Sequence, residues 1–285
     1  MNTNMNTNKK ILNRDPEEKW NEWFAGVTDG DGYFCISKKE KSISYEVTVA
    51  IPDARVVYDI KNRLKAGSVH KRSNSQSVRY RVKANSVIQD IVYRLNGKLH
   101  NKTRLDQVSK VCKLLNMRFI QPTWLIEPQS AYLAGLIDSD GTFTINVGKS
   151  TAEDSQISGV RGRTLRLANS RGSNQLRLRI TSKYVENLTF LQQSYKIGVI
   201  YRENKNKENR SPNNKFHWTI TEFKDFQNLY EYLKLLPLKS TKMHRMRLVF
   251  IYFKYKQLRY HLAPESTLEF KLWKKLSESW FKYSF

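Results

Sequence analysis

The chain has 285 residues, and its 50 lysines and arginines against 26 acids give a formal charge of +24 and a pI of about 9.9. Such an excess indicates an anionic partner, either nucleic acid or an anionic membrane. A bilayer is the poorer choice because no run approaches ~18 apolar residues. The two cysteines, Cys35 and Cys112, favour neither a disulfide framework nor a cysteine zinc site, so we expect a reducing compartment.

Residues 1–14 are rich in Asn and Lys and are predicted to be disordered. They lack the apolar core of a signal peptide and the Arg-rich amphipathic pattern of a transit peptide. We therefore expect the protein to remain where it is translated, without a membrane partner.

The first half, residues 15–115, reads as α-β-β-α-β-β-α-α. Asp15 and Pro16 open a helix whose apolar residues recur at helical spacing as far as Asp31. Alternation of apolar and polar residues predicts four strands, at 33–41, 45–51, 68–72 and 78–83. A second helix is predicted from Pro52-Asp53 to near Gly67, and helical spacing predicts further helices at 87–95 and 102–115. Residues 116–127, with Pro122, form the predicted linker.

The second half, residues 128–258, repeats this order. Strands are predicted at 142–147, 175–180, 199–201 and 216–220, and helices at 128–141, 185–198, 222–236 and 240–258. The polar stretch 149–174 is too long for a tight hairpin and is predicted to be an extended or mobile insertion. The tail, 259–285, is predicted to contain an amphipathic helix at 264–283, with an apolar face of Leu268, Leu272, Leu276 and Trp280.

One motif occurs twice, as residues 23–32 and 132–141, with Asp31 and Asp140 separated by 109 residues. Each copy reads as the end of an apolar helix, with Ala-Gly where a partner helix can approach closely and an Asp-x-Asp-Gly terminus. Carboxylates at a helix C-terminus are electrostatically unfavourable, so a cation is expected nearby. Parallel packing of the two helices would bring both acids together with unpaired carbonyls, as an all-oxygen site suited to Mg²⁺.

Each half offers an antiparallel sheet with one apolar and one polar, basic face. Two such sheets side by side would form a basic trough, in which alternate side chains read base edges in the major groove and lysines neutralise phosphates. The predicted DNA contacts are Cys35, Ser37, Lys39, Lys41, Glu46, Thr48, His70, Arg72, Arg79, Arg81, Lys83, Thr144, Asn146, Gln175, Arg177, Arg179, Tyr201, Arg202, Lys205 and Lys207.

Leu133 to Gly141 resembles the defining motif of the LAGLIDADG homing endonucleases, with Ser139 in place of the motif's Ala, and Phe24 to Gly32 resembles the diverged first copy of single-chain members. Residues 95–98, Leu-Asn-Gly-Lys, also resemble organellar members. The resemblance covers about residues 16–258. It implies an α+β fold of two pseudo-symmetric αββαββα repeats with the motif helices at their interface. It also implies Mg²⁺-dependent cleavage of both strands of a long duplex target, leaving short 3′ overhangs.

Carried over by position, Asp31 and Asp140 resemble the family's metal-binding acids, and the carbonyls of Gly30 and Ser139 its backbone ligands. Lys102 and Lys242 stand where the family places a lysine near each scissile phosphate. Lys183 resembles the residue that orients the water at the end of the second strand. The first half has Pro52 there, which raises the prospect of unequal strand cleavage. Mn²⁺ is expected to replace Mg²⁺, and Ca²⁺ to support binding without cleavage.

Two other functions use the same fold. An RNA-binding intron maturase, with the protein's own intron RNA as partner, would need the basic surface but not the carboxylates. A catalytically inactive DNA-binding protein would need neither the acids nor the lysines. Because both acids and both lysines are present, we favour a monomeric endonuclease encoded in an organelle, mitochondrion or chloroplast.

Overall fold

The computed structural model describes residues 14–37, 42–148, 156–203 and 215–284. Ten α-helices and eight strands are found in these ranges. The helices are α1 Pro16–Asp31, α2 Ala54–Leu64, α3 Asn85–Leu95, α4 Lys102–Leu114, α5 Tyr132–Asp140, α6 Gly159–Asn169, α7 Glu186–Tyr195, α8 Phe223–Leu235, α9 Lys242–Gln257 and α10 Leu268–Trp280. The strands are β1 Gly32–Ser37, β2 Ser42–Ala50, β3 Ser68–Lys71, β4 Ser77–Val82, β5 Thr142–Val147, β6 Asn174–Ser182, β7 Val199–Arg202 and β8 Phe216–Ile220.

The strands form two four-stranded antiparallel sheets of identical topology, β1-β2-β4-β3 and β5-β6-β8-β7. Each sheet begins one or two residues after a motif helix. The inward residues of β2 and β6 are apolar and buried, whereas their neighbours in sequence are polar and more exposed. The α+β fold with two pseudo-symmetric repeats is therefore confirmed.

The two motif helices, α1 and α5, form the junction between the repeats. They run in parallel, since Gly26 of α1 lies against Tyr132 to Leu136 and Gly30 lies against Ser139. A Cβ on Gly135 would lie 1.9 Å from the carbonyl oxygen of Trp23, a distance that no side chain tolerates. The glycines therefore permit the close backbone approach that brings the C-termini of both helices together.

The prediction of an extended or mobile insertion at 149–174 was wrong over its later part. Residues 159–169 form helix α6, and strand β6 starts at Asn174; residues 149–155 lie outside the described residues. Leu167 and Ala168 of α6 are buried, and the indole of Trp273 in α10 donates to the carbonyl of Leu167. Tertiary contact with the tail therefore stabilises a helix whose own sequence is mostly polar.

The tail contains the predicted helix, α10, but its buried face differs from the predicted one. Phe270, Trp273, Leu276 and Trp280 are buried, whereas Leu268 is 67% exposed. Helix α10 begins at Leu268 and is capped by Thr267. The predicted face, with an apolar residue at every fourth position, is therefore not the face that packs. No helix of the described ranges is both long and apolar enough to span a bilayer.

Candidate active site

The carboxylates of Asp31 and Asp140 lie together where the two motif helices end. A Cβ on Gly30, next to Asp31, would lie 3.1 Å from the Cγ of Asp140. Burial, followed by the negative charge of Asp140, raises the pKa of Asp31 to about 7. Partial desolvation also raises the pKa of Asp140, although its side chain remains open to solvent on one side. The structure thus brings together the two acids that the repeated motif predicted.

Two cations cover the negative ends of the motif helices. The ammonium of Lys242 donates to the carbonyls of Ile137, Asp138 and Ser139, at 2.9, 2.8 and 2.6 Å. Arg104 of α4 contacts the carbonyls of Thr28 and Gly30, at 3.2 and 3.4 Å. The expected cation is therefore supplied by the chain itself at each helix end.

The first acid of each motif has a structural role. Asp29 accepts the backbone N–H groups of His100 and Asn101, at 2.6 and 3.1 Å. Asp138 accepts those of Lys239 and Ser240, both at 2.9 Å. Both carboxylates thus fasten the segment that leads into the next helix, which carries Lys102 in one repeat and Lys242 in the other. We call residues 100–103 and 239–242 the first and second lysine loops.

The structure places the two candidate lysines differently. Lys242 is inside the site, and burial lowers its pKa against the opposing charges of Asp53, Asp138 and Asp31. Lys102 is exposed, with its ammonium 5.5 Å from the ring centre of Tyr184 in the other repeat. Counted from the amides bonded to Asp29 and Asp138, Lys102 corresponds to Thr241 rather than to Lys242. The two lysine loops are therefore shifted by one residue.

Lys183 follows β6 and is exposed. Pro52, its proposed counterpart, lies in a short 3₁₀ turn after β2. Strand pairing gives a different counterpart: Tyr33 pairs with Glu46 and Thr142 with Arg179, so Lys183 corresponds to Ala50. The assignment to Pro52 was wrong by two residues, because it was made from the sequence pattern without the strand register. The first repeat still lacks a polar side chain at this position.

The polar face of the first sheet carries a cluster of charges. Glu46 pairs with Arg79 and Arg81 of β4, at 3.1 and 2.8 Å. Thr48 and exposed His70 flank Arg79 on the neighbouring strands. The remaining predicted contacts in the described ranges, Cys35, Ser37, Arg72 and Lys83, are half-buried or exposed. Lys39 and Lys41 lie outside the described residues.

Among the described residues, Arg177 and Arg179 of the second sheet have no acid partner, unlike Arg79 and Arg81 of the first. Thr144 pairs with Arg177 and Asn146 with Gln175, while Arg179 lies 5.9 Å from the ring centre of Tyr201. Arg202 ends β7 and is exposed; Lys205 and Lys207 lie outside the described residues. The ring of His217 lies 5.1 Å from that of Tyr201, and its Nδ1 shares a hydrogen bond with the hydroxyl of Thr181 at 2.8 Å. Polar rows thus extend across both sheets from the acid pair.

Sequence analysis missed two side chains of the site, Arg104 and Asp53. Arg104 lies two residues after Lys102, and the expected cation at the motif end was the signal that could have found it. Asp53 accepts the backbone N–H and the hydroxyl of Thr241, both at 2.7 Å, across the repeat interface. No sequence signal joins residues 188 positions apart.

The residues present fit a hard divalent cation. The described residues contain no cluster of three or more His, Cys, Asp or Glu that could hold a metal. The donors at the motif ends are two carboxylates and the neighbouring backbone oxygens, an all-oxygen set of the kind that Mg²⁺ and Ca²⁺ select; the carbonyls of Ser139 and Gly30 also accept from Lys242 and Arg104. Burial is the main cause of the raised pKa of Asp31, and the negative charge of Asp140 adds to it; a cation between the two carboxylates would relieve that repulsion.

The fold and the site define a two-repeat protein with a carboxylate pair at the junction of two basic sheets. The model of the LAGLIDADG endonuclease family matches residues 24–112 and 133–254, so the chain belongs to this family. Both copies of the motif lie within or at the edge of the matched segments.

Several known proteins resemble the chain. A probable intron-encoded endonuclease, aI2, of Debaryomyces hansenii is 31% identical over 98% of this chain and 40% of its own length. The intron-encoded RNA maturase bI4 of Saccharomyces cerevisiae is 31% identical over 94% of this chain and 37% of its own. The chain thus spans about two fifths of these relatives.

Solved structures of the meganuclease I-SmaMI share the fold. With uncleavable DNA, I-SmaMI gives a TM-score of 0.63 at 19% identity, covering 90% of this chain and 98% of that one. Bound to an uncleaved DNA target in the presence of calcium ions, it gives 0.55 at 17% identity, covering 89% and 97%.

Proposed function

We propose that the chain is a site-specific DNA endonuclease that hydrolyses both strands of a long duplex target and leaves short 3′ overhangs. The observation that carries the proposal is the convergence of Asp31 and Asp140 at the junction of the two polar sheet faces. Paired carboxylates at the centre of a two-sheet surface match the need to cut two strands of one bound duplex. I-SmaMI, which shares the fold, has been solved on DNA.

Asp31 and Asp140, with the carbonyls of Gly30 and Ser139, would hold divalent ions in this proposal. Bound ions would stabilise the attacking and leaving oxygens of phosphodiester hydrolysis. Lys242 and Arg104 neutralise the helix ends and, in this proposal, would also balance the charge of a bound phosphate. Lys102 and Lys183, both exposed, are available for a bound backbone. We expect Mg²⁺ or Mn²⁺ to support cleavage and Ca²⁺ to support binding alone.

DNA recognition is assigned to the polar rows of the two sheets. Arg177, Arg179, Gln175 and Asn146 are suited to guanine and adenine edges, and Arg79 and Arg81 are ordered by Glu46. The protein would act as a monomer because one chain supplies both repeats. Organellar expression from an intron is part of the proposal, in line with the intron-encoded relatives.

Cleavage selection on a randomised duplex library with Mg²⁺ tests the proposal. The wild type is expected to yield one long, partly degenerate site with 3′ overhangs. Asp140→Asn should abolish cutting while retaining selective binding in Ca²⁺, because it removes a ligand charge and preserves shape. A wild type that cuts no member, or a clean Asp140→Asn preparation that still cuts, would refute it.

An RNA maturase is the second candidate, favoured by the similarity to maturase bI4 over 94% of this chain. Its distinguishing property is independence from the carboxylates. Selective binding of structured intron RNA by both wild type and the double variant Asp31→Asn, Asp140→Asn, without DNA cleavage by either, would favour this function.

A further inference from the structure

The two lysine loops are each held from both repeats. In the second loop, the N–H groups of Lys239 and Ser240 are bound by Asp138 of the same repeat, and the next N–H, of Thr241, is bound by Asp53 of the first repeat. Lys242 follows immediately and places its ammonium over the motif carbonyls. The position of Lys242 therefore depends on a side chain of the opposite repeat.

The first loop repeats the arrangement. His100 and Asn101 donate to Asp29 of their own repeat, and the next N–H, of Lys102, donates to Asn187 of the second repeat at 3.1 Å. Asn187 is 8% exposed and is itself oriented by a bond from its amide nitrogen to Ser182. Asp53 and Asn187 both lie in the turn or first helical residues that follow the second strand of a sheet.

The two cross-repeat bonds hold equivalent amides, but their acceptors differ in chemistry. Asp53 is an acid that accepts two bonds from Thr241, and Asp59 on the helix that follows it, α2, pairs with Lys239 at 2.6 Å. Asn187 is neutral and accepts one bond from Lys102. The cross-repeat anchor of the second loop is thus charged, where the half-buried Lys242 follows, and that of the first loop is a neutral amide, where the exposed Lys102 carries the bound N–H.

We propose that Asp53 and Asn187 are positioning residues, each fixing the lysine loop of the opposite repeat, so that cleavage of each DNA strand requires a contact from both halves. The strand-specific part of this inference rests on the proposed endonuclease function. The claim that Asp53 and Asn187 hold the lysine loops does not depend on that function. Misplacement of a group by about 1 Å costs on the order of 100-fold in rate, so a single lost anchor is enough to matter.

Hydrogen–deuterium exchange tests loop holding without requiring activity. Asp53→Ala should raise amide exchange in residues 239–242 by about fivefold, and Asn187→Ala should do so in residues 100–103, since each loses one or two hydrogen bonds. Asp53→Asn should retain most protection because its amide oxygen still accepts from Thr241. The matched control Asp225→Ala removes a carboxylate that accepts a backbone N–H within one repeat, that of Gly198, and should leave both loops unchanged. Unchanged exchange in both alanine variants would overturn the proposal.

Strand-resolved cleavage with each strand labelled tests the consequence. Asp53→Ala should slow one strand by about tenfold or more, and Asn187→Ala should slow the other. Binding in Ca²⁺ should be unchanged, and Asp53→Asn should recover most of the rate. Equal slowing of both strands, or slowing of the same strand by both variants, would overturn strand-specific positioning. A wild type that does not cut any duplex would contradict the proposed function, while the exchange result would still decide loop holding.

Discussion

The ammonium of Lys242 lies 2.6 Å from the carbonyl oxygen of Ser139, at the C-terminus of the second motif helix. A lysine at this position compensates the partial negative charge of the helix end and the two carboxylates beside it. It also connects the motif of the second repeat to helix α9, which begins at Lys242. Lys242 thus neutralises the helix end and, in the proposed function, also contributes positive charge near the phosphate.

Replacing Lys242 by Met should slow cleavage by about 100-fold or more, because a preorganised charge aimed at the reacting region is removed. Single-turnover cleavage would measure this, with target binding in Ca²⁺ followed in parallel. Lys110→Met, which removes an exposed lysine on α4, is the matched control and should retain the rate. A Lys242→Met rate within threefold of wild type would rule out a role of the ammonium in the reaction.

Replacing Gly135 by Ala should destabilise the junction of the motif helices by about 3 kcal/mol, because the new methyl group would meet the backbone of Trp23 and neither helix can yield cheaply. Urea unfolding would measure the loss. Gly159→Ala, where φ is +71° and nothing lies within 4 Å, is the control and should cost only about 1 kcal/mol. Equal losses in the two variants would mean that the glycine contact does not hold the helices together.

The motif helices and sheets could be predicted from sequence because their signals are local. Helical spacing through Trp20 and Trp23, strand alternation through Val47 and the Ala-Gly pair in each motif depend only on near neighbours. The lysine loops could not be resolved in this way. Their register depends on amides that pair with Asp29 and Asp138, and a one-residue shift leaves the sequence pattern almost unchanged.

Contacts between distant segments account for the other differences between the predicted and the observed structure. Helix α6 has few apolar residues, and its stability depends on the indole of Trp273 from the tail. The buried face of α10 includes Phe270 because this face packs against the second repeat. The spacing of apolar residues alone does not show which face will pack. Asp53 became part of the site only when folding placed it beside Thr241. Sequence patterns therefore locate Asp31 and Asp140, whereas the residues that surround and position them can be identified only from the tertiary structure.

DNA affinity should fall steeply with salt, with a log–log slope steeper than about −4, because each neutralised phosphate contributes about −0.9. The double change Arg177→Gln, Arg179→Gln on the second sheet should make the slope shallower by about 2. Lys271→Gln with Lys274→Gln on the exposed side of the tail helix is the control of equal charge. An equal effect of the control, or a wild-type slope of only −1 to −2, would contradict binding in the trough between the sheets.

His100 should make the folded protein sensitive to acid. It stacks on Phe190, with ring centres 4.5 Å apart, and burial lowers its pKa from 6.5 to about 4. Because the folded state holds the neutral imidazole, its contribution is fully present above pH 6.5 and is lost as pH falls towards 4. The expected loss in the free energy of unfolding is on the order of 3 kcal/mol.

Urea unfolding of wild type and His100→Phe at several pH values would measure this loss as a difference in stability that grows below pH 6.5. The exposed His70→Gln variant is the control and should follow wild type. A constant difference between wild type and His100→Phe from pH 7 to pH 4.5 would show that His100 does not titrate differently in the folded and unfolded states.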